Sequence, residues 1–395
     1  AGAGAGRSGG PDERLAPVTD GFGDHADWLD RWLRETALPL WWRAGADHQR
    51  GGWFDALGHD LSPREPRRAR VQARQAFVYA TAGRLGWDGP WREAARHGLG
   101  CLLDHYRRPD GLYRAIMAAG GEVLDDTPRL YEQAFALLAM AASHQVDPGR
   151  RDLPGAAMDL LAALDQLRHT HDGFRETYAH PFQANAQMHL FEAALAWIEA
   201  GGGPAWRALA DEIGELALTR FIDPDGGFLR EMFAADWRPA PGEAGRRVEP
   251  GHQFEWAYLL DRWSALTGRP EARAAAERLY AAGLRGVDAR RGVAVEALRD
   301  DFSVLEPRAR LWGQTEWLRA AVIFGGSAEQ SAAALAVRRF LEAATPGLWR
   351  EHMSAGGDFV DEPAPASSFY HLIGAIADLP KNRRPDGASA PPGLR

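Results

Sequence analysis

Three histidines fall at matching points of the chain. His189, His252 and His371 each stand near the start of an apolar stretch with helical spacing, and Glu192 and Glu255 follow the first two at i+3. Imidazole titrates near neutrality, so it can take a proton and give it back within one turnover. Counted from Arg74, polar residues return at Glu132, His189, His252, Gln314 and His371, in steps of 58, 57, 63, 62 and 57 residues. A polar group buried in an apolar helix is costly unless paired. Its return at one repeat position therefore points to a shared polar cavity.

Further residues fall into the same frame. Asn185 and His189 are spaced i and i+4, as are Trp312 and Glu316, so each pair shares a helix face. Trp53, Tyr131, Trp312 and Phe369 offer flat apolar faces of the kind that pack on sugar C–H surfaces. Two other chemistries use similar residues. Histidines with carboxylates bind metals, although di-iron bundles use Glu-x-x-His rather than the His-x-x-Glu order present here. Glu255 and Glu316 could act as a glycosidase pair, but that leaves three histidines without a role. No metal and no cofactor are expected.

These residues need elements that bring them together, and an internal repeat supplies them. A turn-plus-strand phrase recurs as GGWF at Gly51, DGLY at Asp110, DGFRETY at Asp172, GGFLREMF at Gly226, RGVAVEAL at Arg291 and GLWREHM at Gly347. Its starts lie 59, 62, 54, 65 and 56 residues apart. Amphipathic stretches follow at Ala73 to Leu85, Tyr131 to His144, Gln187 to Ala200, His252 to Leu266, Gln314 to Phe324 and Tyr370 to Leu379. Second helical segments, such as Trp91 to Arg107, Ala205 to Phe221 and Glu271 to Leu284, precede the next phrase. Six helical hairpins bury most surface by closing into a ring, so the expected fold is an all-α (α/α)6 barrel with short β-hairpins in its loops. An open solenoid would need polar capping repeats at its ends.

One catalytic domain is expected over residues 21–380. Residues 1–20 and 381–395 read as flexible segments, and Ala1 to Gly10 has the low complexity of a linker or tag scar. The 395 residues carry a formal charge of -8, with 45% hydrophobic and 25% charged residues. That balance suits a large buried core and gives no basic stripe for nucleic acid. Cys101 is the sole cysteine and Lys381 the sole lysine, which excludes a disulfide framework and a lysine Schiff base in the body of the chain. No run is long and apolar enough for a membrane span. A cytoplasmic monomer or homodimer is expected, with a small molecule as its ligand and no nucleic-acid or membrane partner.

The phrases ARQAFVYA at Ala73, QANAQMHLFEA at Gln183, EPGHQFEW at Glu249, RLWGQTEW at Arg310 and SSFYHL at Ser367 resemble those of the N-acylglucosamine 2-epimerase superfamily. They run in family order from about Trp28 to Leu379. The ending SSFYHL is similar to the D-mannose isomerase branch. Cellobiose 2-epimerases usually carry a Tyr-His-Asn type ending, and Leu372 stands here instead. The resemblance implies an (α/α)6 barrel and metal-independent interconversion of free sugars, by aldose-ketose isomerisation or by 2-epimerisation.

It also implies that His252 and His371 are the acid/base pair, with His189 near the reacting carbons. Arg74, Asn185, Glu255 and Glu316 would position the open-chain sugar. On this reading His371 shuttles the proton between C2 and C1 through a cis-enediol, and His252, oriented by Glu255, opens the pyranose ring. Arg74 and His189 would hold the enediolate oxygen. A toroid that only binds glycans would use the same ring and aromatics but would not need the recurring histidines.

Overall fold

The computed structural model describes residues 21–177 and 180–380. The two terminal segments expected to be flexible lie outside the described residues. The chain alternates between outer and inner helices. Helix α1, Phe22–Arg31, winds on through Trp41–Gly45. It is followed by α2 (Ala69–Arg84), α3 (Trp91–Cys101), α4 (Leu130–Val146), α5 (Leu153–Ala163) and α6 (Ala184–Glu199). The second half contains α7 (Pro204–Leu216), α8 (Pro250–Thr267), α9 (Pro270–Leu284), α10 (Leu311–Phe324), α11 (Ser327–Leu341) and α12 (Ser368–Ala377). Even-numbered helices are inner and odd-numbered helices outer.

Each inner helix packs on the next, and α12 packs on α2, so the inner ring is closed; α1 packs on α11 and closes the outer one. The expected (α/α)6 barrel is the fold observed. Inner helices are buried nearly all round. In α6, every residue from Ala186 to Ile198 is buried, which is why the apolar pattern there is broad rather than a single stripe.

The repeated phrase holds the ring together. Its first part bridges back to the end of the preceding outer helix, as at Arg107 with Tyr113 and Ile222 with Leu229. Left-handed glycines make the turn possible, with φ of 90° at both Gly111 and Gly347. The phrase then pairs with the short strand that leads into the preceding inner helix. Arg67–Arg68 pairs with Ile116–Met117, Phe182–Gln183 with Met232–Phe233, and Ala309–Arg310 with His352–Met353. The last of these junctions joins Ala56–Leu57 to Ala364–Pro365 and so links the two ends of the fold.

A glutamine on most inner helices clamps the phrase. Gln72 accepts from the Trp53 N–H at 2.7 Å and donates to the Trp53 carbonyl at 2.9 Å. Gln133 does the same at Tyr113, Gln253 at Leu229 and Gln314 at Ala294. A buried backbone group without a partner costs about 1–3 kcal/mol, and each clamp satisfies two of them. Gln314 thus keeps the polar repeat position but serves the fold.

The inner helices begin before the residues that apolar spacing marks, at Ala69 rather than Ala73 and Ala184 rather than Gln187. Their first turns face the strand junctions and a polar cavity, so they show no apolar periodicity. Asn185 is helical as a result and shares the His189 face.

Candidate active site

All six inner helices point their N-terminal ends toward one mouth of the barrel. Backbone N–H groups and helix dipoles there favour negative charge on a ligand. A cavity of about 250 Å³ opens at this mouth. Arg74, Tyr131, Asn185, His189, His252, Glu255, Trp312 and His371 all line it, as the sequence led us to expect.

Four residues singled out from the sequence, Trp53, Phe369, Glu316 and Glu132, do not. Trp53 is fully buried away from the cavity, stacked on Tyr79 with ring centroids 5.1 Å apart, and its backbone is held by the Gln72 clamp. Its aromatic face fills the space between inner and outer rings, so it is not a sugar-binding surface. Phe369 is likewise buried against Trp41 and Trp349. Glu316 is fully buried behind His371, with Oε1 2.8 Å from the imidazole Nδ1. It orients a histidine and does not reach the cavity. Glu132 turns away too, accepting from the Arg70 N–H at 2.6 Å at the start of α2.

His252 and His371 flank one aromatic ring. Trp312 lies 4.8 Å from the His252 ring centroid and 5.8 Å from that of His371. Each imidazole is gripped through Nδ1, leaving its other nitrogen for chemistry. The partner of His252 differs from expectation, because Glu231 Oε2 stands 2.8 Å from Nδ1 and Glu249 Oε2 3.4 Å away. Glu255 instead approaches His189, with Oε1 3.9 Å from its Nδ1. At i+3 its side chain leans toward α6, whereas Glu231 reaches His252 from the neighbouring strand junction.

The surroundings give the histidines different charge states. Burial disfavours charge on His252, but Glu231 and Glu249 outweigh it and push the imidazole up to about 9. His371 is held well below its ordinary value by burial and by Arg74, His189, Arg319 and Arg310. At neutral pH the first is a proton donor and the second a proton acceptor. Burial holds His189 down to about 4, so it is neutral, with Glu192 Oε2 3.4 Å from its Nδ1.

The rest of the wall supplies hydrogen bonds. Arg74 donates to the Tyr131 hydroxyl at 2.6 Å and to the Ser367 carbonyl at 3.1 Å, and its guanidinium lies 4.1 Å from the Phe135 centroid. Burial, with Glu316 and Glu192 nearby, pushes the Glu255 carboxyl well above the usual carboxylate range. Among the described residues, neither Glu255 oxygen, nor Asn185 Oδ1, has a hydrogen-bond partner. Such groups suit the hydroxyls of a sugar. Three sets, His189/Glu192/Glu255, Glu231/Glu249/His252 and Glu255/Glu316/His371, each bring one donor atom per residue within 4.8 Å of one another. In all three the imidazole Nδ1 already faces a carboxylate.

Glu231, Glu249, Glu296 and Arg310 also line the cavity and were not singled out from the sequence. A signal for Glu231 and Glu296 exists in the repeated phrase, which carries Glu176, Glu231, Glu296 and Glu351 near the same point. Glu176, for example, accepts from the Leu130 and Tyr131 N–H groups at the start of α4.

A sequence profile of the N-acylglucosamine 2-epimerase family matches residues 51–375. A protein named mannose-6-phosphate isomerase from Rhizobium meliloti (strain 1021) is 46% identical over 369 residues, covering 89% of this chain and 95% of that one. A D-mannose isomerase from Thermobifida fusca is 31% identical over 330 residues, covering 76% of this chain and 78% of that one. Among solved structures, cellobiose 2-epimerase from Bacillus thermoamylovorans B4167 superposes with a TM-score of 0.81 at 15% identity, covering 90% and 98% of the two chains. With its ring closed, its histidines gathered at one mouth and this match spanning most of its length, the chain belongs to the N-acylglucosamine 2-epimerase family.

Proposed function

We propose that the protein is an aldose-ketose isomerase that interconverts D-mannose and D-fructose, and by the same chemistry D-lyxose and D-xylulose. The observation that carries this reading is the pairing of a protonated imidazole, His252, with a neutral one, His371, on either side of Trp312.

His252 gives its proton to O5 of the pyranose and takes up the O1 proton, which opens the ring and leaves the imidazole protonated. His371 takes the C2 proton; the C–H electrons form the C1–C2 double bond as the C1 carbonyl electrons take a proton from His252 onto O1, giving the cis-enediol. His252 then takes the O2 proton as the C2 carbonyl forms, and the double-bond electrons take the proton of His371 onto C1. Arg74, neutral His189 and the helix N-termini stabilise charge developing on the enediol oxygens.

The lining supports an uncharged sugar. Glu231, Glu249, Glu255 and Glu296 face Arg74 and Arg310, and Arg310 is already bound to Glu351 at 2.9 Å. A phosphorylated substrate would meet carboxylates with little free cation to offset them.

A 2-epimerase is the second reading, favoured by the second histidine beside Trp312, which would reprotonate C2 from the opposite face. Incubation with D-mannose in D2O tests both. Fructose as product, with deuterium at C1, is expected. Glucose deuterated at C2 would establish the epimerase, and no isotope uptake with bound mannose would leave a glycan-binding toroid. A rate on mannose 6-phosphate above that on mannose would overturn the uncharged-sugar assignment.

A further inference from the structure

His252 and His371 have the same kind of immediate partner, a glutamate oxygen 2.8 Å from Nδ1, yet one is protonated and the other neutral. The cause lies one residue deeper. Around His252 stand two further carboxylates, Glu249 and Glu255, and the nearby Arg247 is bound to Glu249 at 2.6 Å. Behind Glu316 stands Arg319, which is 5% exposed. Its Nη1 donates to Glu316 Oε2 at 3.1 Å, its Nε donates to Asp378 at 3.0 Å, and its guanidinium lies 3.8 Å from the Tyr258 ring centroid. A chain Asp378, Arg319, Glu316, His371 thus runs from one end of the barrel axis to the catalytic cavity.

We propose that Arg319 is a positioning residue that makes His371 the base of the pair: by holding Glu316 as a carboxylate it keeps the imidazole proton on Nδ1 and leaves the Nε2 lone pair for the substrate. This rests on the reading of His371 as the proton shuttle. Without Arg319, a proton moves easily onto Glu316 in so buried a site, since burial already pushes that carboxyl up and Arg319 is the largest opposing influence. A protonated Glu316 donates to Nδ1, so the neutral ring then carries its hydrogen on Nε2, the wrong tautomer for a base.

The other groups around His371 cannot substitute. Arg74 from α2, His189 from α6, Glu255 from α8, Arg310 at the start of α10 and Tyr370 from α12 complete its surroundings. Among them, Arg74 is committed to Tyr131 and Ser367, and Arg310 to Glu351. Around Arg319 itself stand Asp378, Tyr258, Glu316 and Tyr370, with Glu192 and Glu255 also within reach of its charge and Arg262 across the same cavity.

Arg319 can also be reached without entering the catalytic cavity. With Asp378 and Tyr258 it lines a second cavity of about 280 Å³ between the C-terminal halves of the inner helices, hollowed by Ala80, Ala142 and Ala196. A small guanidinium added to the solution has room there to stand in for the missing side chain.

Two readouts test the proposal. In Arg319→Gln, kcat should fall about ten-fold or more with KM within about two-fold, and the acid limb of kcat should move to higher pH. In Arg319→Ala, methylguanidinium should restore part of the lost kcat. Imidazole 15N NMR should show His371 as the Nδ1–H form in the wild type and as the Nε2–H or doubly protonated form in both variants. This second readout does not depend on turnover. A tautomer change in a protein that turns over no mannose would defeat the catalytic reading and leave the positioning role standing. If Arg319→Gln does not fold, Arg319→Lys serves, because it keeps the charge and loses the fork that joins Glu316 to Asp378. Unchanged tautomer and superimposable pH profiles in a folded variant overturn the inference.

Discussion

His252 Nδ1 lies 2.8 Å from Glu231 Oε2, a carboxylate delivered by a strand junction 21 residues earlier in the chain. With Glu249 behind it, this contact keeps a buried imidazole protonated. The sign of its pH effect follows. A histidine raised above its ordinary value acts as an acid until pH passes its raised value, here about 9.

Activity should therefore hold through neutral pH and decline as pH rises through about 9, where His252 gives up its proton. Glu231→Gln removes the strongest raising influence, so the alkaline limb of the kcat profile should move to lower pH, with kcat at neutral pH reduced roughly 10²-fold. An alkaline limb left in place by this change would show that Glu231 does not govern the acid.

His252→Ala and His371→Ala should each lower kcat by about 10³-fold or more, the upper part of the range for one acid/base group. Helical circular dichroism should be unchanged, because both side chains face the cavity and carry little of the packing. Near-wild-type turnover in either variant would remove that residue from the mechanism.

Trp53 and Trp312 should separate stability from catalysis. Trp53→Ala empties a fully buried site and should cost about 3–5 kcal/mol of stability, with KM for mannose little changed in the folded fraction. Trp312→Ala should raise KM and lower kcat, because its ring lines the cavity between the two histidines. Denaturant unfolding and steady-state kinetics on both variants check this, and a kinetic defect confined to Trp53→Ala would reverse the assignment.

The sequence by itself determined the ring and the repeat position of the three histidines. A sixty-residue period of helical hairpins leaves apolar faces that only closure buries, and a polar residue recurring at one point of that period must be paired or face a polar cavity. Tertiary structure decided which carboxylate serves which histidine. Glu255 stands at i+3 from His252 and reads as its partner, yet Glu231 arrives from the phrase that precedes its helix, placed by a pairing between Phe182–Gln183 and Met232–Phe233 that no local spacing encodes. Trp53 and Gln314 show the same limit in reverse. Both sit in phase with the site and both serve the fold, because a repeat conserves the contacts that lock phrase to helix as faithfully as those that meet a substrate. Charge state was the least visible property. Whether a buried histidine is acid or base depends on the groups behind its partner; Arg319 stands only three residues from Glu316, but Glu316 meets His371 only when the ring has closed.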